Sequence, residues 1–190
     1  MSDVFFKNYT NSLSSALQKV DLSVVTNLAK DILACWNSGN QVFLCGNGGS
    51  AGNASHLAND LIYGVAKSKG KGIKAISLNA NVSVITCLAN DVGYDSIFSE
   101  QLAVLANPND ILIALSGSGN SSNIIEVIKE AKMMNVKSYA ILGVDGGECK
   151  KIANHSIHME INDMQLSEDF QLIVGHMLMK WLYLNRPNAS

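Results

Sequence analysis

Two glycine- and serine-rich stretches hold most of the chemical content of this 190-residue chain. Gly46-Asn47-Gly48-Gly49-Ser50 follows an apolar run and precedes a helical pattern, and Ser116-Gly117-Ser118-Gly119-Asn120-Ser121 is placed in the same way. Glycine lets a backbone turn sharply and approach a ligand closely. The start of a helix adds unpaired N–H groups and partial positive charge, and serine adds hydroxyl donors. The chemistry this suits is an anion cradle, phosphate above all. Neither stretch is a Walker A loop, because no Gly-Lys-Ser/Thr follows. The G-x-G-x-x-G fingerprint is also unmet, since Gly49, Ser50 and Ala51 follow Gly48. One such loop alone is an ordinary turn and helix cap; two, one of them with three serines, favour phosphate.

The elements that must position these loops alternate along the chain. Apolar spacing predicts helices over 12–20 and 22–36, the second stopped at Ser38-Gly39-Asn40. Residues 41–45 (QVFLC) read as a buried strand, followed by the first loop and a helix over 51–63. Strands over 74–78, 110–115, 138–142 and 156–159 follow. Helical patterns over 82–89, 97–105, 123–134 and 149–153 lie between them, and a long amphipathic helix over 166–184 closes the chain. This order predicts an α/β fold: a three-layer α/β/α sandwich around a five-stranded, mostly parallel sheet. Both loops then lie beyond the carboxyl ends of strands, where such sheets bind ligands.

Composition narrows the class. With 47% hydrophobic residues and two prolines, the chain reads as one domain over 1–190, an N-terminal helical extension over 1–38 and an α/β core over 39–190. Fourteen basic and sixteen acidic residues give a net charge of −2, which argues against a nucleic-acid partner. No apolar run reaches the ~18 residues of a membrane span, and the first residues lack the pattern of a secretory signal. Cys35, Cys45, Cys87 and Cys149 are scattered, three of them in apolar segments, as expected of reduced thiols in a cytoplasmic protein.

Residues 45–51 (CGNGGSA) followed by His56, then 89–93 (ANDVG), then 115–121 (LSGSGNS) resemble the sugar isomerase (SIS) family, and within it the phosphoheptose isomerases. The likeness runs almost end to end. It implies that Ser50, Ser116, Ser118 and Ser121 hold a substrate phosphate, with Gly117 in the same loop. Asn47, Gly48, Gly49, Asn90, Asp91 and Glu168 would line the sugar site. It further implies a metal and catalytic cluster of His56, Asp60, Glu168 and His176, one Zn²⁺ per site, and a homotetramer. The expected reaction is conversion of sedoheptulose 7-phosphate to a mannoheptose 7-phosphate, feeding heptose synthesis for lipopolysaccharide or capsule. Three positions depart from the family pattern: Asp60 for Glu, Glu168 for Gln, and Gly117 for Thr.

Isomerisation between aldose and ketose needs a base beside a carbonyl and an acid or cation at its oxygen. His56 and Asp60 are four residues apart on one helix face, and Glu168 and His176 lie two turns apart on the last helix. Two facing helices could assemble these groups, which suit Zn²⁺. Asp60 or Glu168 would be the base and His176 the acid. Taken singly, each has an ordinary structural explanation, such as a solvated helix face or a core histidine; the joint match gives them their role. Two other readings remain at this stage. Some relatives bind the bacterial replication initiator without catalysis, but they lack the metal-site residues kept here. Sugar-phosphate sensors usually carry a DNA-binding domain, for which the chain has no spare length.

Overall fold

The computed structural model describes residues 2–187. Five strands, β1 (Gln41–Gly46), β2 (Lys74–Ser77), β3 (Ile111–Ser116), β4 (Lys137–Leu142) and β5 (His155–His158), form one sheet in the order β2-β1-β3-β4-β5. Every neighbouring pair is parallel, so the sheet is wholly rather than mostly parallel. Helices α1 (Ser2–Leu17), α2 (Leu22–Ser38), α3 (Gly49–Asn59) and α8 (Met164–Leu184) pack on one face. Helices α4 (Val82–Asp91), α5 (Ser99–Leu105), α6 (Ser122–Met133) and α7 (Cys149–Ile152) cover the other.

Both faces being covered explains why the strands read as apolar runs instead of alternating patterns. All six residues of β3 are buried. Val42, Leu44, Ile113, Leu115 and Ile141 join the core beneath α2, α3 and α8. Phe43, Cys45, Leu112, Ala114 and Leu142 point the other way, towards α5 and α6. Cys35, Cys45 and Cys149 are buried and unpaired, while Cys87 is exposed. Burial pushes the Cys35 thiol up to about 12 and Cys149 up to about 11.

Two helices depart most from the sequence reading. The first helix spans Ser2–Leu17, not 12–20, because residues 18–20 form the turn before Asp21, whose carboxylate caps α2 by accepting from Ser23 N at 2.9 Å. The early part of α1 is fastened by tertiary contact: Tyr9 donates to Asp169 of α8 at 2.7 Å. The helix after the first loop is not regular to residue 63. At Asp60 it widens into a π turn (Asp60–Gly64), with Val65 N donating to Asp60 O at 2.9 Å.

Asp110, assigned to a strand from its apolar neighbours, instead precedes β3 as a buried tie. Its carboxylate accepts from Gln41 N and Asn107 N, both at 2.8 Å, and from Asn40 Nδ2 at 3.2 Å. It thereby aligns the starts of β1 and β3, whose far ends carry the two loops. Replacing Asp110 with Ala leaves these donors without a partner in a buried place, and is expected to destabilise the fold by about 2–3 kcal/mol in chemical denaturation. Asp110→Asn, which keeps one acceptor, should recover part of that loss.

Candidate phosphate cavity and histidine–carboxylate cluster

The chain leaves β1 for β2 on one side and then crosses to β3 on the other, so strand order reverses between β1 and β3. Ligand crevices form at such switch points. The loop after β1 enters α3 and the loop after β3 enters α6, so two helix N-termini converge on the crevice. Gly48 stands at the N-cap of α3 with φ 55°, a left-handed conformation that favours glycine, and it offers no side-chain cap. Ser121 is the N-cap of α6, and its hydroxyl makes no capping bond. The first N–H groups of both helices are thus left for a ligand.

Between the loops lies a cavity of about 240 Å³ lined by Ser50, Ser116, Ser118 and Ser121, with Asn47, Gly48, Gly49, Gly117 and Glu168. Ser116 Oγ accepts from Gly119 N at 3.0 Å and Ser118 Oγ from Asn120 N at 3.2 Å. A hydroxyl that accepts from the backbone keeps its own proton free to donate. Ser116 and Ser118 therefore keep a proton to donate beside the cavity. Asn47 is clamped by a reciprocal pair with Asn123, at 2.8 and 2.9 Å, and receives the Tyr94 hydroxyl at 3.1 Å. Asn123 and Tyr94 are supports the sequence reading missed. Asn90 and Asp91 lie outside the cavity lining, exposed at the end of α4. Asn90 Nδ2 donates to Asp91 Oδ1 at 2.7 Å, and Asp91 also accepts from the Cys87 thiol, a bond that raises the thiol's pKa.

A second group forms where α3 meets α8. His56 Nε2 and His176 Nε2 are 3.0 Å apart, and Asp60 Oδ2 is 3.5 Å from the first and 3.8 Å from the second. That carboxylate oxygen is buried without a hydrogen-bond partner. These three donor atoms lie within 4.8 Å of one another, close enough for one metal ion to be held by all three. Their spacing is close to the roughly 3.3 Å edge of a tetrahedral zinc site with bonds of about 2.0–2.2 Å. The π turn begins at Asp60, so the helical widening falls on a donor of this cluster. Glu168 is not in the set. Its carboxylate lies against Gly49, on the cavity side.

Close approach of the two helices depends on Gly175. A Cβ there would overlap the Leu57 side chain. Leu57 and Gly175 are the chain neighbours of His56 and His176, so the bare glycine surface sets the separation of the imidazoles.

The SIS domain model matches residues 5–143. A probable phosphoheptose isomerase of Thermoplasma acidophilum is 34% identical over 172 residues, covering 90% of this chain and 94% of that protein. The chain belongs to the SIS-domain family. A phosphoheptose isomerase of Helicobacter pylori is 33% identical over 91% of this chain and 89% of its own length. Among solved structures, a phosphoheptose isomerase from Francisella tularensis superposes with a TM-score of 0.90 at 26% identity, over 97% of this chain and 99% of that one. This SIS domain carries its matched region through both loops and β4; α8, which supplies His176 and Glu168, lies beyond it.

Gly175→Ala should cost about 1–3 kcal/mol from overpacking against Leu57. The double variant Leu57→Ala with Gly175→Ala should recover part of it, a non-additivity that a denaturation cycle measures.

Proposed function

We propose that this protein is a phosphoheptose isomerase that converts sedoheptulose 7-phosphate to the aldose D-glycero-D-manno-heptose 7-phosphate. One observation supports this reading above others: a serine-lined anion cavity at the β1/β3 crevice beside a cluster of two imidazoles and a partnerless carboxylate. The curated relatives named as phosphoheptose isomerases agree with it.

Ser50, Ser116, Ser118 and Ser121 bind the phosphate together with the open N-termini of α3 and α6, which hold the sugar in one register. Asn47, Gly48 and Gly49 of the cavity line the path of the sugar, with Asn90 and Asp91, outside that lining, as further candidate contacts. A carboxylate, Asp60 or Glu168, takes a proton from C1 of the ketose, and the C2 carbonyl oxygen becomes an enediol hydroxyl. Return of a proton to C2, with loss of the C1 hydroxyl proton, gives the aldose. His176 serves as the acid at the oxygen. Replacing one residue of such an acid–base set typically removes 10²–10⁴-fold in rate.

The donor set of His56, Asp60 and His176 fits Zn²⁺, which these three residues would hold; Glu168, the fourth residue expected at the metal, lies on the cavity side instead. Bound there, the ion would supply Lewis-acid stabilisation of charge on the substrate oxygen. The same reading places the enzyme in the cytoplasm as a homotetramer serving heptose synthesis. Apolar side chains left exposed, among them Phe5 and Phe6 of α1 and Val104 of α5, suit subunit contacts. No described helix is long and apolar enough to cross a membrane.

The test is turnover of sedoheptulose 7-phosphate by purified protein with and without Zn²⁺. His176→Ala should lower kcat by at least about 10²-fold, and Ser118→Ala should act mainly on KM. Asp60→Asn and Glu168→Gln, assayed side by side, identify the base as the one whose loss is larger in kcat. A His176→Ala protein that turns over as fast as the wild type would overturn the assignment.

A further inference from the structure

A polar bridge lies between the two parts of the site. Asn53 of α3 and Gln171 of α8 are both buried, at 9% and 0% exposure. Asn53 Nδ2 donates to Gln171 Oε1 at 2.9 Å and to the backbone oxygen of Glu168 at 3.0 Å. Along α3, Asn53 is three residues after Ser50 of the cavity and three before His56 of the cluster. Along α8, Gln171 is three residues after Glu168 and five before His176. The bridge thus lies between phosphate cavity and cluster on both helices.

Its composition is unusual for a purely adhesive contact. Gln171 Nε2 is buried with no hydrogen-bond partner. An apolar pair of the same shape would join the helices without leaving a donor unsatisfied. A hydrogen bond at a single depth selects one sliding register, as a single buried amide can between helices. The neighbouring contact at Leu57 and Gly175 sets how close the helices come.

We infer that Asn53 and Gln171 are positioning residues for the isomerase site: their amide bridge sets the axial register of α8 on α3, so that His176 meets His56 and Asp60 while Glu168 stays at the cavity. This rests on the isomerase reading for its catalytic consequence, and on the geometry alone for its effect on the donor cluster.

The test compares Gln171→Met, which keeps the volume and removes both amide functions, with Gln171→Glu, which keeps an acceptor facing Asn53 Nδ2. Zinc affinity is measured by competition with a chromophoric chelator, alongside kcat, KM and the melting temperature. Gln171→Met is expected to bind zinc about tenfold more weakly and to lose about tenfold in kcat with KM unchanged, the scale seen for residues that orient metal ligands. Its melting temperature should stay within a few degrees of the wild type, because the unsatisfied donor has gone. Gln171→Glu should recover zinc affinity and kcat. Wild-type zinc affinity and kcat in Gln171→Met would overturn the proposal. So would losses that follow a lowered melting temperature and are not rescued by Gln171→Glu. Failure of the isomerase reading shows separately, as wild-type protein without turnover; the zinc titration still decides the role of the bridge.

Discussion

Packing of α3 against α8 at Leu57 and Gly175 sets how closely the donors of the two helices can approach. A helix whose closest residue is glycine can bring its axis nearer than one carrying a Cβ, and interhelical distances of about 8–10 Å vary with the side chain at the crossing. Here that glycine immediately precedes His176, and the leucine it receives immediately follows His56. The two imidazoles approach to 3.0 Å as a result. The carboxylate joins them because α3 keeps its helical bonding as far as Asp60, whose N–H donates to His56 O, so the two side chains share a face. The inserted residue of a π turn changes the direction of the chain beyond it, and the turn's first carbonyl bonds to Val65 N. Helical pitch and a missing methyl group are together enough to converge three donors from two helices.

The phosphate cavity depends on a different part of the fold. Parallel strands present their carboxyl ends on one side, and reversal of strand order opens a crevice between β1 and β3. Asp110 aligns the opposite ends of the same two strands. Its three accepted bonds act about one strand length away from the loops, yet they determine the register with which Gly46 and Leu115 finish side by side. The cradle therefore inherits its precision from the sheet, and the cluster from the helix pair. α3 is the element common to both: its first turn carries Ser50 and its last turn His56.

Sequence alone made much of this legible, and the reasons differ by element. Strands buried on both faces are short apolar runs, and every one of the five was found within a residue or so. Gly39 and the serine loops were visible because left-handed glycine and helix-start chemistry are local. The start of α1 was not, since Tyr9 is held by Asp169, 160 residues away. The π turn was also hidden: residues 51–63 keep helical spacing, and the widening is decided by packing around Asp60. Asp110 was read into a strand because its neighbours are apolar, and its role as an acceptor for Gln41 exists only across the sheet. Asn53 and Gln171 could have been suspected as polar residues on the inward faces of apolar helices, the one signal that separates a buried bridge from a solvated face.

Glu168 shows how a single residue divides the two tasks. Eight residues of helix separate it from His176, about 12 Å along the axis. A side chain at that distance can serve the cavity or reach towards the cluster, and in this structure it lies against Gly49. The carboxylate there adds negative charge to a cavity otherwise furnished with hydroxyl and backbone donors. Under the proposed function, phosphate binding must therefore overcome a like charge or move it. A neutral side chain at the same position would lack that repulsion. The departure from the family pattern at this position thus acts on the electrostatics of phosphate binding as well as on the donors available to a metal, and the two effects are linked through one side chain.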